Sequence, residues 1–471
     1  MPFTYRYECK GIQNWILRSD KLTDICGASH IVEQFGSTAR SLAGDHTAAD
    51  VIVATAGVGL VEFRTDAALR AFASEWPMRV AAMAPGLRVV QAWTEGTGSD
   101  AQKKVIDLVA AARNVASPTL PEAAPMARRA NRTGEPAVTG GTDLDGDGEW
   151  QDHTTSVVRA KGAVDSLRDR FGIPEELRLN NDLQAWPEGY LAVVHIDGNS
   201  VGAALRKLPP AALRGFSAEL LTATQKACKE ASKAALSHWR LRHDNNDAPI
   251  RPLVLGGDDV TVLLHASMAL KFVQAYVAGF DALSPKDADG RSLTASAGIA
   301  FVKRGFPFAQ AHHLAEELCR GAKRANDTDA PKSRVLFHRV TTSSLRTWES
   351  IRETELAEVL VGGPYTAEGI TAIHHLCRVM SMYKLARGSL RQWVDVVRDD
   401  ALKGERKSRT FSASEKRWQR ILQTLDANAP GSSKRLFDAM GDGARTGRRP
   451  NDTTIVFDAL TLLGVDAWES A

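Results

Sequence analysis

Three carboxylates in two short stretches of this chain have the types and spacing to do chemistry together. In Val254-Leu255-Gly256-Gly257-Asp258-Asp259-Val260-Thr261-Val262-Leu263-Leu264, two apolar runs of β character flank four residues that a strand interior disfavours. The pattern predicts a tight hairpin with Gly-Gly-Asp-Asp at its tip, where glycine permits positive φ and close approach of a backbone or ligand. Taken alone, such a tip reads equally as a plain turn, since Gly and Asp are ordinary turn residues, or as a metal site. The second stretch, Tyr190-Leu191-Ala192-Val193-Val194-His195-Ile196-Asp197-Gly198-Asn199-Ser200-Val201-Gly202, shifts the balance. It reads as a buried strand ending on Asp197, then small and polar residues, then a helix from near Gly202. A carboxylate at the end of a core strand faces the same sheet edge as an adjacent hairpin tip. Asp197, Asp258 and Asp259 can therefore converge on a pair of divalent ions, and hard oxygen ligands suit Mg²⁺ or Mn²⁺. Two ions bridged by carboxylates activate a ribose hydroxyl and stabilise a leaving pyrophosphate.

The order strand–Asp–helix, strand–GGDD–strand resembles the palm domain shared by nucleotide cyclases, diguanylate cyclases and many polymerases. Thr294-Ala295-Ser296-Ala297-Gly298-Ile299-Ala300-Phe301 continues it as a strand with S-x-G. The helical run Phe308 to Arg324 comes next, containing Ala322-Lys323. GGDD, rather than GGDEF or GGEEF, is similar to the large subunit of type III CRISPR effector complexes, the CRISPR polymerase that joins ATP into cyclic oligoadenylates. The resemblance implies an α+β fold with two ferredoxin-like, nucleotide cyclase-like palms and a C-terminal helical domain. It implies Asp197, Asp258 and Asp259 as catalytic residues, with the Gly198 carbonyl joining them as metal ligands for two Mg²⁺ or Mn²⁺ ions, and ATP as substrate. Gly198, Asn199, Ser200, Gly202, Gly256, Gly257, Ser296 and Lys323 would line the nucleotide, with Lys323 neutralising phosphate charge. Asn199 departs from the family's D-G-D, which leaves base specificity, ring size and linkage open. Val260, where diguanylate cyclases have Phe, argues against that branch.

The elements that must position these residues are read from the rest of the chain. With 471 residues, 44% hydrophobic and 24% charged, two to four domains are expected. No run of about 18 apolar residues suggests a membrane span, and the N-terminus lacks a signal-peptide pattern, so a cytoplasmic protein is expected. Five scattered cysteines without C-x-x-C fit free thiols in a reducing compartment. Residues 1–115 read as strand Thr4–Glu8, a strand–turn–strand over Val51–Phe63, a helix from Asp66 to Met83, and a strand Arg88–Trp93. This repeats the palm order with Thr55-Ala56-Gly57-Val58-Gly59 in place of carboxylates, so it should be catalytically dead. Gly11-Ile12-Gln13 and Leu22-Thr23-Asp24-Ile25-Cys26-Gly27-Ala28-Ser29 resemble the opening of the family's degenerate first palm.

Residues 116–185 form a connecting segment with a break at Ala116–Pro121, and Thr133-Gly134-Glu135-Pro136-Ala137 lacks the zinc-binding Cys that relatives carry nearby. Asp143–Glu149 mimics the start of a Ca²⁺ loop but has Thr154 at position 12, and reads as an acidic surface loop. The catalytic palm is expected over 186–342, with its two substantial helices at about Pro210–Trp239 and Phe308–Arg324. His243-Asp244 reads as loop chemistry rather than an HD nuclease, a domain expected to be missing here, and His312, His313 and Glu316 read as helix surface. Residues 343–471 should be helical, with Thr366 as an N-cap. Basic residues from Lys384 to Arg449, interleaved with Trp393, Phe411 and Trp418, suit a guide–target RNA backbone or neighbouring effector subunits; a solvated helical face is the other reading. Two further functional readings stand beside the cyclic-oligonucleotide synthase. One is a catalytically silent scaffold and RNA-binding subunit; the other is a standalone cyclic-dinucleotide synthase.

Overall fold

The computed structural model describes residues 1–45, 49–55, 57–115, 126–140, 149–162, 165–240, 247–325, 331–342, 346–356, 362–382, 387–402, 413–428, 430–440 and 450–465. The break at Ala116–Pro121, most of the acidic Asp143–Glu149 loop, His243-Asp244 and the basic residues at 403–409 and 445–449 lie outside the described residues.

The first sheet is built from β1 (Phe3–Lys10), β2 (Ala49–Ala54), β3 (Val58–Phe63) and β4 (Arg88–Glu95), in the order β2-β3-β1-β4. Between β1 and β2 run the short helix α1 (Ile12–Ile16) and the long α2 (Leu22–Gly44); α3 (Asp66–Met83) joins β3 to β4, and α4 (Ser99–Arg113) comes after β4. The Thr65 side chain caps α3 by accepting from the Ala68 amide, the arrangement that its sequence favours. Apolar faces of sheet and helices meet in an aromatic core. The rings of Tyr7 and Trp76 lie 4.7 Å apart and those of Tyr5 and Phe72 5.3 Å apart edge-on, geometries that suit aromatic quadrupoles.

A junction of β5 (Ala137–Thr139), β6 (Gln151–Asp152) and α5 (His153–Arg159) lies between this unit and the second sheet. Arg159 forks onto buried Asp24 of α2 at 2.8 and 2.9 Å, a charge-assisted bidentate pair. The second sheet holds β7 (Tyr190–Gly198), β8 (Ile250–Gly256), β9 (Asp259–His265), β10 (Ala295–Lys303) and β11 (Arg334–Arg339). Its order is β11-β10-β7-β9-β8. Helices α6 (Val201–Lys207) and α7 (Pro210–Arg240) connect β7 to β8; α8 (Ala266–Leu283) connects β9 to β10, and α9 (Phe308–Arg324) connects β10 to β11. Leu191 to Ile196 are all buried, as expected for a central strand covered on both faces. α7 packs along α8, while α9 lies on β7, β10 and β11 over the face that carries His195 and Asp197. Set side by side, the first four strands of the two sheets have the same order and the same antiparallel pairings. The fold is thus two ferredoxin-like palms.

Two readings of the sequence need correction. α8 is a third substantial helix of the second palm; Ala269, Leu270, Phe272, Val273, Tyr276, Val277 and Phe280 line its buried face at helical spacing, while Ala275, Ala278 and Leu283 on its other faces blur the polar contrast. His312 is not helix surface but buried under the sheet, whereas its neighbour His313 is exposed beside Glu316 and Glu317.

The C-terminal part is helical: α10 (Trp348–Thr354), α11 (Ala367–Met382), α12 (Arg387–Leu402), α13 (Ala413–Asn428), α14 (Ser432–Met440) and α15 (Pro450–Gly464). Thr366 accepts from the Gly369 amide at 3.4 Å, the N-cap expected for α11. Tyr365 fastens this bundle to the second sheet. Its backbone bridges Val335 of β11, its ring stacks on Phe337, and its hydroxyl donates to buried Asp458 of α15. All five cysteines are free and buried. Among the described residues, no helix is long and apolar enough to cross a membrane.

Candidate active site

The acidic hairpin closes in two residues. Gly256 pairs with Asp259 in the β8–β9 ladder, leaving Gly257-Asp258 as the loop. Gly257 adopts φ 68°, a left-handed conformation that glycine enters without the Cβ penalty. A Cβ built on Gly256 or Gly257 would meet no atom within 4 Å, so this tip is open on the outside. The end of β7 is crowded instead. A Cβ on Gly198 would stand 2.6 Å from Val201 Cγ2 and 2.7 Å from Asp258 Oδ2, so glycine there lets α6 and the Asp258 carboxylate lie against the strand end beside Asp197.

Ser200 comes next in the left-handed region at φ 58°, the one non-glycine residue described there, and leads into α6, which begins at Val201 and contains Gly202. Asn199 supports this strained turn from inside. Its amide donates to the Thr294 carbonyl at 2.7 Å, its Nδ2 to Thr294 Oγ1 at 2.8 Å, and its Oδ1 accepts from Ser296 Oγ at 2.8 Å. Asn199 and Ser296 are both buried. These two side chains, expected to line a nucleotide, are here engaged in holding the Gly198–Ser200 turn.

Lys323, on the last turn of α9, donates to Asp197 Oδ2 and, at 2.8 Å, to the Gly198 carbonyl. Burial, then the charge of Asp197, pushes the Asp258 carboxyl up to about 7, and the nearby Lys323 opposes this. Asp259 points elsewhere. Its Oδ2 accepts from Nε2 of Gln13, a residue of the first palm, at 2.8 Å, and its Oδ1 lies 3.5 Å from His195 Nδ1. Behind it, His195 Nδ1 is 3.2 Å from Thr261 Oγ1, which is 3.3 Å from His312 Nε2. Burial above all, and then His195 and His313, hold His312 down to about 3, so it stays neutral at physiological pH. Burial chiefly raises the Asp259 carboxyl, while His195 and the Gln13 bond oppose this.

Of the three carboxylates, Asp197 and Asp258 are therefore brought together with the Gly198 carbonyl, and Asp259 is turned into the interface with Gln13. Among the described residues, no three His, Cys, Asp or Glu side chains gather closely enough to hold a metal on their own. Two carboxylates and a carbonyl nevertheless fit a hard cation. The crowded pair carries mutual repulsion that a cation would relieve, and an ammonium already sits on two of the three donors. Gln13 and His195 are functional candidates that sequence reasoning missed. Gln13 lay within the quoted Gly-Ile-Gln stretch, but its partner is 246 residues away, beyond any local signal.

Residues 190–331 match the family model described as Cas10/Cmr2, second palm domain. Among solved structures, an apo Csm1–Csm4 cassette is similar at 13% identity with a TM-score of 0.57, covering 98% of this chain and 70% of that one. The Csm1–Csm4 cassette in complex with cA4 gives 13% and 0.55 over 98% and 70%. Csm1 from T. onnurineus gives 14% and 0.54 over 98% and 69%. At these identities the likeness speaks for the fold of the whole chain. Among curated proteins, none matches the sequence.

Proposed function

Starting from a second palm of the Cas10/Cmr2 family at residues 190–331, we propose that this chain is the large subunit of a type III CRISPR effector complex, an antiviral nucleotidyltransferase. Its second palm joins ATP into cyclic oligoadenylate and releases pyrophosphate. The observation that carries this reading is the close pair of Asp197 and Asp258 beside an open glycine tip, with the Lys323 ammonium next to them. The similar Csm1–Csm4 cassettes bound to cA4, cA3 and pppApA support the adenylate class.

A divalent ion, Mg²⁺ or Mn²⁺, held by Asp197, the Gly198 carbonyl and Asp258 would supply a lowered hydroxyl pKa and positive charge at the α-phosphate. The chain's own groups do the rest. Gly256 and Gly257 expose backbone with nothing above it, so a triphosphate can lie against the tip. Lys323 carries a compact charge on a flexible stem and can pass from Asp197 to a phosphate oxygen. Asn199, Thr294 and Ser296 keep the Gly198–Ser200 turn in shape while this exchange occurs. We assign residues 1–115 to a non-catalytic palm, 116–185 to a connecting segment, 186–342 to the catalytic palm and 343–471 to a helical domain for guide–target RNA and neighbouring subunits, in the cytoplasm.

The grip of Lys323 on Asp197 favours one second reading, a silent scaffold whose acid is permanently neutralised. Purified chain incubated with each labelled NTP and Mg²⁺ or Mn²⁺, beside Asp258→Ala/Asp259→Ala, separates the two. An adenylate product from the wild type alone supports the synthase, and its mass gives the ring size. No product with any NTP, even after adding co-purified nucleic acid, would leave the scaffold.

A further inference from the structure

We propose that Gln13 is a positioning residue of the catalytic centre, so that the palm without carboxylates contributes a working part to the palm that has them. The inference rests on reading Asp197 and Asp258 as a cation site. Gln13 stands on the five-residue helix α1, which leaves β1 through Gly11 in the left-handed conformation at φ 72°. Two anchors fix that helix independently of the second palm. Trp15 Nε1 donates to the Pro85 carbonyl at 2.9 Å, and Trp15 and Ile16 are buried in the first palm. The Gln13 amide is thus presented from a rigid base.

Its bond to Asp259 crosses from one palm to the other. Asp259 Oδ1 is buried and has no hydrogen-bond partner of normal length, the nearest polar group being His195 Nδ1 at 3.5 Å. Gln13 is therefore the only full hydrogen bond described for that carboxylate. Without it, the Asp259 side chain is free to turn about its bonds toward the adjacent Asp258 and Asp197, adding a third negative charge to a crowded pair. A neutral amide suits this role because it fixes the carboxylate by one donor without bringing a positive charge that would compete with a cation beside it. Because the donor sits on the first palm, sliding of one palm against the other alters the acidic cluster directly.

The test is Mn²⁺ binding by the intact chain, read from the electron paramagnetic resonance of free Mn²⁺. Wild type, Gln13→Leu, Gln13→Asn, Asp259→Asn and Gln13→Leu/Asp259→Asn are compared. Gln13→Leu should change Mn²⁺ affinity by about tenfold, the lower end of the range for groups that orient metal ligands. In the Asp259→Asn background the same substitution should change it less than twofold, and Gln13→Asn, which keeps the amide but shortens the reach, should fall between. Equal effects in both backgrounds, or none in either, would overturn the proposal. Should wild type bind no Mn²⁺, the cation-site reading fails. The urea unfolding midpoints of wild type, the two single variants Gln13→Leu and Asp259→Asn, and their double variant then decide on Gln13: additive shifts sink the role, and non-additive shifts support the Gln13–Asp259 link.

Discussion

The two palms share a strand order and pairing scheme but finish their hairpin tips in opposite ways. In the first palm the tip between β2 and β3 is filled and tied down. A Cβ on Gly57 would stand 2.2 Å from Ile12 Cδ1, the Gly57 carbonyl accepts from the Cys9 amide at 2.7 Å, and Thr55 bonds the Val58 carbonyl. The acid on its central strand, Glu8, is matched by Arg6 and Arg113. In the second palm a Cβ on Gly256 or Gly257 would meet nothing within 4 Å, and the acid pair is under-compensated. One fold therefore yields a packed strut or an acidic edge with bare glycines, and the choice lies in a handful of residues at one end of the sheet. The strut is not idle: α1, which fills the first tip, also carries Gln13.

The sharpest way to break this comparison is to remove an acid from each palm. Asp197→Ala or Asp258→Ala should lower adenylate formation by on the order of 10³-fold or more, as expected for a group holding the charge-stabilising centre. Glu8→Ala should leave the rate within about threefold, its cost falling on stability as two arginines lose a partner. Product quantified by chromatography checks both; a comparable loss from Glu8→Ala would make the first palm catalytic. The second prediction compares two glycines of the second palm. Gly198→Ala forces Asp258 away from the strand end and should cost about 10²-fold. Gly215→Ala, on α7 with open space around the added methyl, should cost less than about threefold, and equal losses would refute the crowding argument.

The smallest effect is on stability. The folded chain holds a proton on Asp258 up to about pH 7, above the ordinary carboxylate value of about 4. Between these pH values the folded state binds more protons than the unfolded one, so this group's contribution makes stability fall as pH rises through that window. Asp258→Asn removes the cost. Its melting temperature in EDTA should exceed wild type by a few degrees at pH 8 and match it at pH 4. The reverse order would mean that the folded state prefers the ionised carboxylate.

Much of this arrangement could be read from residue order. β1, the first hairpin, α3, the Thr366 cap of α11 and the Gly-Gly-Asp-Asp turn were all legible, because each rests on a local rule of period, cap or turn. α8 was not, since its less buried face carries Ala275, Ala278 and Leu283 beside Lys271 and Gln274, which leaves little polar contrast to set its period. Asn199 and Ser296 pointed to a ligand by position alone; their hydrogen bonds to each other and to Thr294 depend on strand register across β7 and β10. The three acids were expected on one centre, but sequence could not show that Asp259 has an amide from the other palm to satisfy. His312 shows the same limit: on α9 it looks like any polar helix residue until Thr261 and His195 are brought beneath it.

The span of 246 residues between Gln13 and Asp259 also bears on the order in which this molecule is made. Every strand pairing of the first sheet lies within residues 3–95 and every one of the second within residues 190–339, so each palm can fold from its own segment as it leaves the ribosome. The Asp259 contact waits for two finished halves to dock, and Lys323 is synthesised 126 residues after the Asp197 it reaches. A nascent or truncated chain thus carries its acidic tip incompletely dressed. Synthesis itself postpones the finished centre until both palms have emerged.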